Sequence, residues 1–305
     1  MKKIIIITLI LISLFAGCGE KDKLEKPLGE QFTVFVTIPP LASLADSIGG
    51  KMSNVEVVLK PGSNPHTYEP TPKDIVKLSN SALLFEIGIG LDEWATEVAL
   101  EAENGPRVVP VAIGIPTLPA LSERLRRRHL DENKIAAHGN PHVWLDPNIV
   151  SDIIIPTMTK AYTAADPPNA DYYRANSFRL TELVRSYAQD ARTRLDKLKG
   201  KPVILQHGAF VYFFRQYGIP VMDILEPFPG QEPTMQDITE IIEVAKVEKP
   251  VAIIIESQLS PKPARVLAEE LGIPLITMDP LGKNDESYLT LMQRNLIALE
   301  EISIE

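Results

Sequence analysis

NADYYRANSFRLTELVRSYAQDARTRLDKLK, residues 169–199, is the segment on which the fold turns. Its apolar residues Leu180, Leu183, Val184, Tyr187, Ala191, Leu195 and Leu198 recur at helical spacing. Asn169 can cap the start, and Gly200 followed by Pro202 stops it. About 30 helical residues would span about 45 Å, the length of a small domain. So long a helix in mid-chain predicts a stiff connector between two lobes.

The flanking sequence agrees. On the N-terminal side, short β-rich apolar runs occur at Phe32–Val36, Val55–Leu59, Ala82–Ile87 and Arg107–Val111, with helices expected at Leu41–Ile48, Lys73–Asn80 and Asp92–Glu103. The rhythm restarts at Val203–Gln206, Pro220–Ile224, Val251–Glu256 and Pro274–Met278, with helices at Phe210–Tyr217, Thr234–Val247, Pro263–Leu271 and Glu286–Glu300. Continuous apolar strands separated by helices predict mostly parallel sheets covered on both faces. The expectation is an α/β protein with an N-terminal lobe over residues 31–168, a rigid linking helix over 169–199 and a C-terminal lobe over 200–305.

Composition removes several classes. The 305 residues are 45% hydrophobic and 23% charged, which is ordinary for a globular chain. A net charge of -9 argues against general nucleic-acid binding, which rests on neutralising phosphates. The single cysteine rules out an internal disulfide and any Cys-based zinc or iron–sulfur site. That cysteine, Cys18, ends an apolar run from Ile4 to Phe15 that begins after Lys2 and Lys3. This is the pattern of a secretory signal over residues 1–17, too short to span a bilayer. It resembles a bacterial lipoprotein signal, which implies lipidation at Cys18, although Phe15 stands where such signals prefer Leu. Residues 18–30 then read as a lipid-anchored tether, and the protein is expected outside the cytoplasm, on the periplasmic or cell-surface side of a membrane.

Four polar residues fall where open α/β sheets bind ligands, beyond strand ends. His66 lies in Pro61-Gly62-Ser63-Asn64-Pro65-His66-Thr67-Tyr68-Glu69-Pro70, and His142 in Asn140-Pro141-His142-Val143-Trp144-Leu145-Asp146-Pro147. His207 directly follows the fifth strand, and Asp279 the eighth. Two come from each half and can converge between the lobes. Three imidazoles and a carboxylate suit tetrahedral Zn²⁺ better than Mn²⁺, which prefers more oxygen donors. Taken one at a time, a loop histidine is more often a cap or a surface residue.

These stretches, with His207-Gly208-Ala209-Phe210-Val211-Tyr212-Phe213, Glu256-Ser257-Gln258-Leu259-Ser260-Pro261-Lys262 and Asp279-Pro280-Leu281-Gly282, together resemble one family in one order. It is the zinc/manganese solute-binding proteins of metal ABC transporters (cluster A-I), and the likeness runs from Phe32 to the C-terminus. The resemblance implies metal held between two lobes by His66, His142, His207 and Asp279, and delivery to a membrane permease. It also implies zinc rather than manganese, since manganese binders of the family tend to carry glutamate where His207 stands. Many zinc-importing relatives carry a long histidine-rich loop; here residues 122–139 hold only His129 and His138 amid Arg124, Arg126, Arg127 and Arg128. Loop-assisted capture is therefore not expected.

Bland readings stand beside these. His138 is an auxiliary ligand or a solvated loop residue, and the basic run before His129 reads as a solvated face. Asp146 and Glu256 either orient ligand imidazoles or act as a loop cap and a strand-end solvent group. A metal held by four protein donors leaves no place for a water nucleophile, and no His-Glu-x-x-His, Gly-x-Ser-x-Gly or phosphate-loop motif occurs. The expectation is a non-catalytic, monomeric Zn²⁺ carrier. A manganese or iron carrier, a metal-binding adhesion lipoprotein and a His₃ zinc hydrolase are the alternatives.

Overall fold

Two four-stranded parallel sheets form, with one strand order used twice. The first contains β1 (Phe32–Val36), β2 (Ser53–Val57), β3 (Leu83–Glu86) and β4 (Arg107–Pro110), in the order β2-β1-β3-β4. The second contains β5 (Val203–Leu205), β6 (Val221–Ile224), β7 (Ala252–Glu256) and β8 (Leu275–Met278), in the order β6-β5-β7-β8. In register, Val34 lies opposite Val55 on one side and Leu83 on the other, while Ile204 pairs with Ile253. The computed structural model describes residues 31–303 except 61, 121, 123, 125–138, 227–230 and 284. The expected leader, Cys18, the tether, His129 and His138 lie outside the described residues. No helix among the described residues is long and apolar enough to cross a membrane.

The linking helix runs over Ala170–Arg194, 25 residues or about 37 Å, and a 3₁₀ turn at Asp196–Leu198 closes it. It is shorter than its periodicity suggested because the chain tightens after Arg194, where Leu195 and Leu198 still reach the core. Asn169 does not cap it by its side chain; its amide donates to Asp166 instead (2.8 Å). Leu183, on the expected apolar stripe, is 56% exposed. The buried face is Tyr173, Asn176, Leu180, Val184, Tyr187, Ala188 and Ala191.

This helix is a keel packed along both lobes. Asn176 donates to the carbonyl of Ile48 at the end of helix Pro39–Gly49 (2.9 Å), and Tyr187 donates to that of Met292 in helix Tyr288–Glu300 (2.9 Å). One apolar cluster consequently takes in Val34 and Phe85 of the first sheet, Tyr173 and Val184 of the keel, and Phe213 and Leu296 of the second lobe. A smaller cluster around Ile241, Ile253 and Leu267 fills the other face of the second sheet.

The sequence reading left residues 147–165 unassigned. They form helical structure: Pro147–Ile149, a π turn at Val150–Ile154 and an α-helix at Ile155–Ala165 that packs beside the keel. Pro156, lacking an N–H, sits just past the π turn, where the helical ladder is already interrupted.

Candidate metal site

Each histidine reaches the cleft by a different local device. His66 rides on a 3₁₀ turn, Pro65–Thr67, whose start is held by Asn64 Oδ1 accepting from the His66 N–H (2.9 Å). His142 repeats the arrangement: Asn140 Oδ1 accepts from the His142 N–H (3.0 Å). Both loops read Asn-Pro-His, an Asx turn with proline fixing its middle residue. His207 needs no such turn, because it leaves β5 in extended conformation beside β7. In this sheet the chain steps from β5 to β6 on one side and returns to β7 on the other, a switch point where open sheets bind ligands.

The three rings meet. Their centroids lie 5.0 Å (His66–His142), 5.2 Å (His66–His207) and 4.9 Å (His142–His207) apart. One nitrogen from each falls within 4.8 Å of the others, and His66 Nε2 stands 3.1 Å from His142 Nε2. The surrounding bonds aim them. Asn140 Oδ1 also accepts from His142 Nδ1 (2.8 Å), and Glu256 Oε1 from His207 Nδ1 (3.0 Å). An imidazole whose Nδ1 carries the proton presents a bare Nε2, the form that ligates metal. Burial lowers the pKa of His66 to about 3, helped by repulsion from His207. Burial, then His207 and His66, hold that of His142 well below its ordinary value. Both are therefore neutral at physiological pH.

The cavity they share with Trp144, Gln258 and Leu281 has a volume of about 20 Å³. That is room for one ion or water, not for an organic molecule.

Asp279 is 7% exposed and follows β8 as expected, but it does not belong to the cluster of nitrogens within 4.8 Å. Its Oδ1 accepts from Gln258 Nε2 (2.7 Å) and from the N–H groups of Leu281 (3.0 Å) and Gly282 (2.9 Å). Its Oδ2 accepts from Arg294 (3.0 Å). Burial alone would raise its pKa; the Gly282 N–H, Gln258, Leu281 and Arg294 outweigh that and hold it below the usual carboxylate value. Asp146 is a correction to the ligand-orienting reading: its Oδ1 accepts from the N–H groups of Asn148 and Ile149, capping a helix start rather than holding an imidazole. Trp144 packs against the His142 ring and donates Nε1–H to the carbonyl of Pro280, and Tyr68 donates to Asp74.

Sequence reasoning passed over Asn140, Gln258, Arg294 and Arg124. The repeated Asn-Pro-His was the available signal for the first. Gln258 stands in a stretch that carries the family resemblance, but nothing in the sequence pairs it, or Arg294, with Asp279, which each meets only through the fold. Arg124, placed above on a solvated face, is instead partly buried against the second lobe. Its Nε donates to Asp223 (2.8 Å), another guanidinium nitrogen to Asp237 (2.6 Å) and a third to the Ile224 carbonyl (3.1 Å).

A two-lobed α/β molecule with histidines convergent in an ion-sized cleft defines a metal-binding class of carrier. The chain belongs to the family described as zinc-uptake complex component A, periplasmic, whose profile it matches over residues 34–302. The family comprises metal-binding substrate proteins of ABC transporters, not enzymes. Among curated relatives, a putative metal-binding protein of Treponema pallidum is 28% identical, covering 88% of this chain and 85% of that protein. The manganese ABC transporter substrate-binding lipoprotein PsaA of Streptococcus pneumoniae is 27% identical, covering 99% of each. A crystal structure of ZnuA superposes with a TM-score of 0.78 at 27% identity, covering 90% of this chain and all of that one.

Proposed function

We propose that this chain captures Zn²⁺ with His66, His142 and His207, takes Asp279 as the fourth donor, and passes the ion to the permease of an ABC importer. It works outside the cytoplasm from a lipid anchor at Cys18. The observation that carries this reading is the triangle of imidazoles, with the Nδ1 atoms of His142 and His207 tied to Asn140 and Glu256. Imidazole lone pairs crowded at this distance oppose one another until a cation sits between them. Three nitrogens and one oxygen favour zinc, and a cavity of about 20 Å³ disfavours the larger, oxygen-rich shell that Mn²⁺ prefers. With four protein donors the ion keeps no site for water attack, as befits cargo.

A second reading, a manganese or iron carrier, is favoured by the names of two relatives: the pneumococcal lipoprotein is named for manganese and MtsA of Streptococcus pyogenes for iron. Elemental analysis of protein purified without chelator, followed by metal competition, separates them. The expected result is one zinc per chain, displaced by Mn²⁺ only at about 100-fold excess or more. Displacement at comparable concentration defeats the zinc assignment. His66→Ala and His207→Ala should each weaken binding strongly, and changes below about threefold in both would remove the site altogether.

A further inference from the structure

We infer that Arg294 is a resident stand-in for the metal and competes with it for Asp279 Oδ2: the guanidinium gives this oxygen up when the ion binds and reclaims it as the ion leaves. The inference rests on Asp279 serving as the fourth donor.

The two oxygens of Asp279 are held very differently. Three donors fix Oδ1, two of them backbone N–H groups at Leu281 and Gly282, where Gly282 takes a φ of 74° that favours glycine. The backbone is fixed as well: Asn295 accepts from the Asp279 N–H (2.9 Å) and donates to its carbonyl (2.7 Å). Among the described residues Oδ2 is held only by the guanidinium of Arg294, whose side chain is 44% exposed. The carboxylate is thus an anchored arm with one exchangeable hand.

Arg294 has somewhere else to go. Its Nε donates to Glu286 Oε1 (3.0 Å), and the nitrogen that meets Asp279 also meets Glu286 Oε2 (2.9 Å). Losing Asp279 leaves the guanidinium paired with Glu286, so no buried charge is stranded, which is the outcome that makes breaking an ion pair expensive. Arg294 and Asn295 are neighbours on helix Tyr288–Glu300, so the backbone clasp on Asp279 stays closed while the arginine side chain moves. The exchange swaps one cation for another at the same oxygen. It keeps the Asp279 carboxylate aimed, and it supplies a competitor that eases release.

Zinc equilibrium titration against a chromophoric chelator and stopped-flow zinc dissociation test this on the wild type, Arg294→Gln, Arg294→Lys, Asp279→Asn and the Asp279→Asn/Arg294→Gln double variant. Removing the competitor in Arg294→Gln should lower Kd by about three- to tenfold and slow dissociation, the scale of a partly exposed ion pair. The difference from wild type should shrink with added salt, which screens the guanidinium, and Arg294→Lys, which keeps the charge, should stay nearer wild type. In the Asp279→Asn background the Arg294→Gln substitution should change nothing. Should Asp279→Asn weaken zinc binding while Arg294→Gln leaves Kd unchanged or raises it, Asp279 remains a donor and the stand-in role is overturned. Should Asp279→Asn leave zinc affinity intact, the four-donor reading fails and the exchange fails with it.

Discussion

Asn140 Oδ1 decides which nitrogen of His142 holds its proton, and the Asn140 amide donates at the same time to the carbonyl of Gly208, next to His207 (2.7 Å). The approach is close: a Cβ on Gly208 would lie 3.0 Å from the Ala120 carbonyl and 3.4 Å from the Asn140 amide nitrogen. One buried side chain therefore ties a ligand loop of the first lobe to that of the second. Asn140→Ala removes both ties and leaves the Gly208 carbonyl without this donor. Zinc affinity should fall about 10- to 100-fold, the range for lost partners of metal-ligating histidines. Asn140→Asp restores the acceptor for His142 but not the donor to Gly208, so it should recover part of the loss; competition titration reads both. An unchanged Asn140→Ala affinity would show that the ring needs no such guide. The three histidines that meet stood out because two lie in Asn-Pro-His loops and one follows an apolar run, and because those stretches resemble one family; Asp279 follows β8 but lies outside their cluster. Glu256 was a candidate imidazole partner, though not for His207 in particular, which lies 49 residues away; the ties of Asp279 to Gln258 and Arg294, 21 and 15 residues away, were not legible.

At the level of elements, the two sheets share a strand order and differ in what ends them. Glu86 closes β3 as Glu256 closes β7, yet Glu86 accepts from Thr96 (2.6 Å) and burial lifts its pKa to about 7, whereas Glu256 holds His207. The second switch point carries His207; the first is closed by a buried acid. Most strands were read to within two residues because period and β-branching agree there, while residues 147–165 were missed because Pro156 and the β-branched Ile153–Ile155 run oppose helix on local propensity. Packing against the keel overrides that preference. The segment between β4 and His142 was also opaque, since nothing local says that Arg124 belongs to the other lobe. Besides Arg124, Tyr212 secures this strap by accepting from the Leu118 N–H (3.0 Å) and donating to the Asn140 carbonyl (2.8 Å). Replacing Arg124 by Met leaves Asp223 and Asp237 without the guanidinium between them and should destabilise the fold by about 3 kcal/mol, read by urea denaturation at pH 7. Burial raises the Asp237 pKa, but bonds from Thr234 and Arg124 lower it further, so its stabilisation is present above the unfolded value and fades as pH falls below it. The penalty should accordingly shrink in acid. A loss under about 0.5 kcal/mol would mean that the strap is held elsewhere.

Across the whole molecule, the continuous core sets how the cleft can open. The main apolar cluster runs from the first sheet through the keel into the second lobe, and Asn176 and Tyr187 fasten the keel to one helix of each. A hinge that swung the lobes apart would have to expose part of that cluster, at about 25 cal/mol for each Å² of apolar surface. His66 and Arg294, by contrast, lie outside that cluster: His66 sits on a short, partly buried turn, and Arg294 is half exposed. Metal removal should therefore act locally. Hydrogen exchange on zinc-loaded and chelator-treated protein should differ at residues 62–70 and 279–286 and stay the same along Ala170–Arg194. Small-angle scattering should change by less than about 0.5 Å on a radius of gyration of about 19 Å. A larger expansion, with protection lost along the keel, would mean that the lobes move as rigid jaws and that the shared core is not what holds the cleft in place.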